Sequence, residues 1–244
     1  MTTAEIDWDA YATQYDRMCS YNPSYNENLT KLMEFLSNSD CIKEGSQVAD
    51  LGAGTGNFLA HLATSYPLVH FLHVDSNRAM NEIALKKYRG MDLSNVTVLE
   101  EPVQTVALEE GSLDLALCVH SLYAMPPQDI VLRKIQKWLK PGGILYVVDL
   151  GRSMRPIDWG LHFFQRAATS GQIGQYVKDA ISSREVVRQN RLTRVAQDSG
   201  RYWTHTTQQF GDTLEKVGFQ LERLEQAYRG YSDLAICKKL ESQI

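Results

Sequence analysis

Disulfide frameworks, structural zinc sites and membrane spans each need features that this 244-residue chain lacks. Its four cysteines, Cys19, Cys41, Cys118 and Cys237, stand far apart with no Cys-x-x-Cys pair, which argues against both a disulfide-stapled fold and a zinc ribbon. Cys118 and Cys237 lie in apolar runs and read as small buried hydrophobes. No apolar run approaches the roughly 18 residues of a bilayer-crossing helix. The first residues, Met1 to Asp7, have neither the basic start nor the apolar core of a secretory signal, so a cytoplasmic location without membrane contact is expected. Positive charge is also short overall. The formal net charge of −4 offers little to a polyanion, and nucleic acid is not expected as a partner. That charge is unevenly spread. Nine bases and four acids lie between Gly151 and His205, leaving that stretch at +5 and the remainder at −9.

The most informative stretch is Val48-Ala49-Asp50-Leu51-Gly52-Ala53-Gly54-Thr55-Gly56. Its apolar start suits a strand buried on both faces, and three glycines at alternate positions mark a turn where backbone approaches something closely. Asn57 to Leu62 has helical spacing, so the whole reads as strand, glycine turn, helix, with free N–H groups expected at the helix start. The spacing is Gly-x-Gly-x-Gly, with Asp50 two residues ahead, and differs from the Gly-x-Gly-x-x-Gly of dinucleotide sites.

Further strands follow at Val69 to Asp75, Val96 to Leu99, Gly111 to Val119 and Ile144 to Asp149, with helices predicted at Asn77 to Tyr88 and Ile130 to Leu139. Asp75 ends the second strand, 19 positions beyond Gly56. A carboxylate there accepts both hydroxyls of a ribose, its other reading being a helix cap shared with Ser76. His120, Tyr123 and Asp149 fall at the carboxyl ends of the fourth and fifth strands, the edge where open parallel sheets hold their ligands. Before the sheet, Trp8, Tyr11, Ala12 and Tyr15 share a helical face, Trp8 reading as packing, and Tyr25 to Leu36 is amphipathic. After it, Trp159 to Ala168 and Tyr176 to Val195 read as two helices joined by Ser170-Gly171-Gln172-Ile173-Gly174. A last helix ends at Gly218, and Phe219 to Ala227 and Ser232 to Lys238 form a closing hairpin.

Asp50-x-Gly52-x-Gly54-x-Gly56, Asp75, the acid near Glu101 and Leu139-Lys140-Pro141-Gly142-Gly143 occur in an order that resembles the class I S-adenosylmethionine (SAM)-dependent methyltransferases. The likeness covers roughly residues 5 to 150 and 205 to 240. It implies an α/β, Rossmann-like, seven-stranded sheet, mostly parallel with the last strand antiparallel, helices on both faces and a helical lid insertion. The expected organisation is a helical cap over residues 1–40, a SAM-binding core over 41–150, a substrate lid over 151–205 and a completion of the sheet over 206–244. The resemblance implies SAM as cofactor, S-adenosylhomocysteine as product and no metal. Tyr11 to Asp16 is similar to a Tyr-Ala-x-x-Tyr-Asp segment that folds over the cofactor, which places Tyr11 and Tyr15 at the site. Asp50, Gly52, Ala53, Gly54 and Gly56 would cradle its amino-acid end, Asp75 and Ser76 the ribose, Glu101, Pro102 and Val103 the adenine, and His120 its backbone.

Candidates for proton removal are His120 first, then His162 and His205, which flank the insert, with Asp149, Tyr202 and Tyr15 beside them; Tyr123, Arg152, His162, Tyr202 and His205 would face the acceptor. The expected reaction is methyl transfer to oxygen or nitrogen of a small molecule, by a monomer or homodimer. The insert's arginines fit either an anionic acceptor or a solvated helix face. Two alternatives stand beside it: a carboxy-SAM-synthase-like enzyme, with an insert arginine holding a carboxylate, and a non-catalytic SAM-fold binding protein. The Asn/Asp-Pro-Pro-Tyr/Phe sequence used on flat amides and bases is absent, and His120-Ser121-Leu122-Tyr123 stands in its place.

Overall fold

A computed structural model describes residues 6–153, 155–169, 171 and 184–240. Seven strands form one sheet: β1 (Gln47–Leu51), β2 (His70–Val74), β3 (Val96–Leu99), β4 (Leu113–Val119), β5 (Leu139–Asp149), β6 (Phe219–Ala227) and β7 (Ser232–Lys239). Their order is β3-β2-β1-β4-β5-β7-β6. All are parallel except β7, which runs antiparallel to both neighbours and ends the chain's path through the sheet.

Alternation along each strand sends side chains to two separate cores. Val48, Leu115, Leu117, Tyr146 and Ile236 face α2 (Pro23–Ser37), α3 (Asn57–Ser65) and α4 (Arg78–Gly90). Ala49, Ala116, Cys118, Val147 and Cys237 face α5 (Gln128–Trp138) and α8 (Thr207–Val217). Each fully buried leucine or phenylalanine contributes about 1.5 to 3 kcal/mol, which is why these strands read as unbroken apolar runs. Among the described residues the remaining helices are α1 (Trp8–Tyr21), packed against α4, and, between β5 and α8, α6 (Pro156–Thr169) and α7 (Arg184–Asp198). No helix among the described residues is long and apolar enough to cross a membrane.

Two local expectations change, and a third falls largely outside the described residues. Strand β5 begins at Leu139, ahead of the expected Ile144, because Leu139 pairs with Leu113 before a register shift at Pro141-Gly142-Gly143. Gly143 is needed there: an added Cβ would lie 2.9 Å from the Lys140 carbonyl oxygen. Helix α4 is capped by Asn77, whose side chain accepts the Met80 N–H, and not by Asp75 or Ser76. Of the segment expected to join the insert's helices, only Gly171 is described; the rest of it and residues 172–183, including Lys178 and Asp179, lie outside the described residues.

Candidate active site

The order of strands reverses between β1 and β4, and a cavity of about 200 Å³ opens beyond their carboxyl ends. That is where an open α/β sheet leaves a crevice between diverging connections. Its wall contains Tyr15 from α1; Asp50, Gly52, Ala53 and Gly54 from the glycine turn; Asp75 and Ser76 after β2; Pro102 and Val103 after β3; His120 and Tyr123 after β4; and Tyr202. Twelve residues named from the sequence as site candidates are thus brought together.

The N–H groups of the glycines are engaged, while those of Asn57, Phe58 and Leu59 at the start of α3 meet no acceptor among the described residues. Gly52 and Ala53 both donate to the Val74 carbonyl, at 2.8 and 3.2 Å, Gly54 donates to Asp75 Oδ2 at 2.8 Å, and Gly56 to the Ala53 carbonyl at 2.9 Å. With these four donors engaged, the glycines of the turn leave Asp50 and Asp75 as the charged groups it offers a ligand, and carboxylates suit a cation better than a phosphate. Asp50 is 3 % exposed and receives no hydrogen bond from any described residue. Burial, and then the nearby Asp75, push its carboxyl up to about 7. Asp75 accepts Gly54 N–H on Oδ2 and Asn77 N–H on Oδ1, which fixes both oxygens toward the cavity rim while leaving lone pairs for a diol. Its carboxyl also titrates above the usual range, through burial.

His120 stands at a positive φ of 52° after β4, with its N–H on the Val148 carbonyl and its Nε2 3.0 Å from Ser232 Oγ. Burial lowers its pKa to about 4, so the imidazole is neutral throughout the physiological range. Tyr15 is half-buried, edge-on against Tyr11 and Tyr25, and desolvation holds its phenol well above the ordinary value, so it stays protonated near neutrality. Tyr123 meets Tyr202 edge to face, with ring centroids 5.2 Å apart.

The remaining sequence candidates lie outside the cavity wall. Tyr11 points its hydroxyl to Met18 Sδ and Asn190 Oδ1. Gly56 is a packing glycine: a Cβ there would meet the Tyr88 hydroxyl at 2.0 Å. Glu101 is exposed on the turn after β3, where Pro102, Val103 and Gln104 face the cavity instead. His162 packs against Trp159 and Phe163 within α6. Arg152 donates to Asp233 through both terminal nitrogens and to the backbone carbonyls of Gly230 and Ser232, so its guanidinium is engaged in holding the sheet edge. Asp149 lies directly across β5 and β7 from Asp233, and His205 sits between the two carboxylates, 3.5 and 3.3 Å away. Asp149 Oδ1 accepts the Tyr123 N–H at 2.9 Å, so this buried group supports the wall from behind.

Sequence reasoning assigned Trp8 to packing and passed over Tyr25, Phe58, Met80, Ser121 and Met125, all of which line the cavity. Trp8 and Tyr15 are seven residues apart on α1, two helical turns on one face, which was the available signal. No Lys or Arg appears in the described wall. An insert arginine holding a substrate carboxylate, as the carboxy-SAM-synthase reading requires, has no counterpart among the described wall residues.

Residues 48–143 match the family model described as a methyltransferase domain. The chain is 27% identical over 187 residues to (S)-coclaurine N-methyltransferase of Papaver somniferum, covering 72% of this chain and 50% of that relative. It is 22% identical over 180 residues to a ubiquinone/menaquinone biosynthesis C-methyltransferase of Syntrophotalea carbinolica, covering 72% and 73%. The chain therefore spans half to three quarters of the length of these two relatives. In fold it is similar to a SAM-dependent methyltransferase from Aquifex aeolicus, with a TM-score of 0.62 at 16% identity and coverage of 94% and 98%. Residues 48–143 thus match a methyltransferase domain, set with the glycine turn and Asp75 at the switch point of a seven-stranded sheet similar in fold to a SAM-dependent methyltransferase.

Proposed function

We propose that the protein transfers the methyl group of SAM to nitrogen of a small-molecule acceptor, with oxygen as the second acceptor atom. The observation that carries this reading is that a buried Asp50, with no hydrogen-bond donor among the described residues, and a neutral His120 line one aromatic cavity with no Lys or Arg among its described wall residues. Such a wall favours a ligand that brings positive charge, because a buried carboxylate without a partner is costly until a cation arrives. Asp50 would hold the ammonium of the cofactor's amino-acid end, Asp75 the ribose diol, and Tyr15 and Trp8 would cover them. Bound SAM supplies an electrophilic methyl on a sulfonium.

The rest of the task falls to position and dryness, since holding two reactants in line supplies roughly 7 to 11 kcal/mol in favourable cases. His120, with a pKa of about 4, is a weak base. A neutral amine attacks with its own lone pair and sheds its proton afterwards, whereas an alcohol needs a stronger base beforehand. This is the reason nitrogen ranks first. Relatives that methylate nitrogen and carbon leave the atom undetermined by similarity alone. Calorimetry with S-adenosylhomocysteine tests the cofactor half, and release of radiolabelled methyl onto an amine panel against matched phenols and carboxylates tests the acceptor half. Absence of cofactor binding at millimolar concentration, or turnover confined to carboxylates, overturns the reading.

Two results are expected at the cofactor end. Asp75→Ala should weaken S-adenosylhomocysteine binding by about 1 to 3 kcal/mol, the cost of leaving the diol without its acceptor. An unchanged dissociation constant rejects the ribose assignment. Binding should also release protons at neutral pH. With a pKa of about 7, Asp50 is about half protonated at pH 7, and a ligand ammonium favours the ionised form. Binding therefore lowers the Asp50 pKa, and affinity rises between pH 6 and pH 8. Binding enthalpies compared in phosphate and Tris buffers, which take up protons with different heats, measure the release; identical enthalpies reject it.

A further inference from the structure

Lys87, on α4 and outside the cavity, joins three separate segments with one ammonium group. Its Nζ donates to the Thr55 carbonyl at 2.8 Å, to Asn57 Oδ1 at the start of α3, and to Asp16 Oδ2 on α1 at 2.9 Å. Those three acceptors use all the donors a lysine has. The other oxygen of Asp16 accepts the hydroxyl of Thr55, a residue 1 % exposed in the middle of the glycine turn, at 2.5 Å. Asp16 adjoins Tyr15, and Tyr15 and Trp8 are the residues α1 contributes to the cavity wall.

Helix α1 packs on α4 through Tyr11, Ala12 and Met80 and buries Cys19 in the core, and its polar ties are made at Asp16 and at its N-terminal end. Its N-terminal end is tied by Asn77 Nδ2 donating to Asp9 Oδ1 at 2.8 Å, an exposed contact. It also meets α7: the Asp7 N–H donates to Gln189 Oε1 at 3.1 Å, and the Tyr11 hydroxyl to Asn190 Oδ1 at 3.2 Å. The chain leaves α1 through Asn22, an extended residue that ends α1 and caps α2. A ligand held under Trp8 and Tyr15 leaves when α1 parts from the glycine turn, and the polar bonds between those two segments are those of Asp16.

We propose that Asp16, Thr55 and Lys87 form a latch that closes α1 over the cofactor and governs how fast the cofactor leaves; this rests on the reading of the cavity as the SAM site. Asp16 and Lys87 are positioning residues, acting through α1 and the turn and touching no reacting atom. Because the partly buried ammonium serves the turn, α3 and α1 together, loss of either side chain weakens the same closed arrangement.

The test is stopped-flow measurement of S-adenosylhomocysteine association and dissociation by tryptophan fluorescence, with wild type, Asp16→Asn, Lys87→Met and the double variant. Each single variant is expected to speed dissociation at least tenfold, with association changed by less than threefold, and the double variant to be no faster than the faster single one. Circular dichroism melting of the ligand-free proteins checks that they are folded; if Lys87→Met fails to fold, Asp16→Asn, which keeps the side-chain shape, carries the measurement. Dissociation within twofold of wild type, a loss of affinity arising wholly from slower association, or multiplicative effects in the double variant overturns the latch. A wild type that binds no S-adenosylhomocysteine overturns the cavity reading itself, and the latch with it.

Discussion

His205→Ala is expected to lower the stability of the ligand-free protein by about 3 to 5 kcal/mol, the usual consequence of removing one partner from a buried charge pair. Asp149 and Asp233 are aligned across β5 and β7, both fully buried, and two carboxylates so placed repel unless a cation stands between them. His205 stands at that place, and the two acids favour its charged form. Its ring nitrogens lie within ion-pair distance of both acids without forming in-line hydrogen bonds, and the ring stacks on Phe210 at a centroid separation of 4.5 Å. Arg152 neutralises Asp233 from the other side, so the charge stranded by the substitution is that of Asp149.

The titration follows from the same contacts. Burial alone would push the imidazole down, but the carboxylates of Asp149 and Asp233 outweigh it and hold His205 above its ordinary value. Asp233 is lowered to about 2, with burial opposed by His205, Arg152 and Thr207, while burial lifts Asp149 above the usual carboxylate range. A raised histidine pKa gives stability that is complete below about pH 6.5 and fades as pH rises through the folded value. Wild type should therefore lose part of its advantage over the variant as pH is raised. Urea unfolding at several pH values measures both effects. A loss below about 1 kcal/mol at pH 6, or a gap that widens toward alkaline pH, rejects the bridging role. Adding Asp149→Asn to the variant should recover part of the loss, since the stranded charge is then gone.

How much of this was legible in the sequence depends on the reach of each signal. The strands were readable because burial on both faces leaves unbroken apolar runs such as Leu115 to Val119. The switch-point residues were readable because glycine spacing and Asp75 report local backbone demands. Asp149, Arg152 and His205 looked like site residues for a sound reason, their place at the carboxyl edge, yet each is engaged with Asp233 or its strand, a partner more than twenty-five residues away in sequence. No periodicity encodes such a pairing. Trp8 was missed in the opposite direction: a helical aromatic stripe has two sides, and only the packing of α1 against α4 decides which side meets the cavity. The register at Leu139 was hidden because Pro141 and two glycines signal a turn equally well whether the strand starts before or after it.

Two glycines of the same turn should fail in opposite ways when each is replaced by alanine. Gly52 has a φ of 76°, and a Cβ there would stand 2.5 Å from Ser121 Cβ and 2.6 Å from Met125 Cε. Ser121 has little room to yield, because its hydroxyl donates to the Leu51 carbonyl at 2.7 Å and meets Cys118 Sγ at 3.1 Å. Left-handed strain and overlap together give Gly52→Ala an expected loss of about 2 to 5 kcal/mol in folding stability. Gly54 has a φ of 57°, nearly the ideal left-handed value, and its Cβ would meet nothing within 4 Å. Gly54→Ala should therefore cost about 1 to 2 kcal/mol of stability at most. The open space beside Gly54 is the cavity itself, however, so the added methyl group stands where a ligand's amino-acid end would lie. Its affinity for S-adenosylhomocysteine should fall at least about tenfold, a change of 1.4 kcal/mol or more. Denaturant unfolding paired with calorimetry separates the two variants. If Gly54→Ala binds as wild type does, the ligand does not approach the turn at its second glycine; if Gly52→Ala is as stable as Gly54→Ala, the close packing of the turn on Ser121 is not what requires the first.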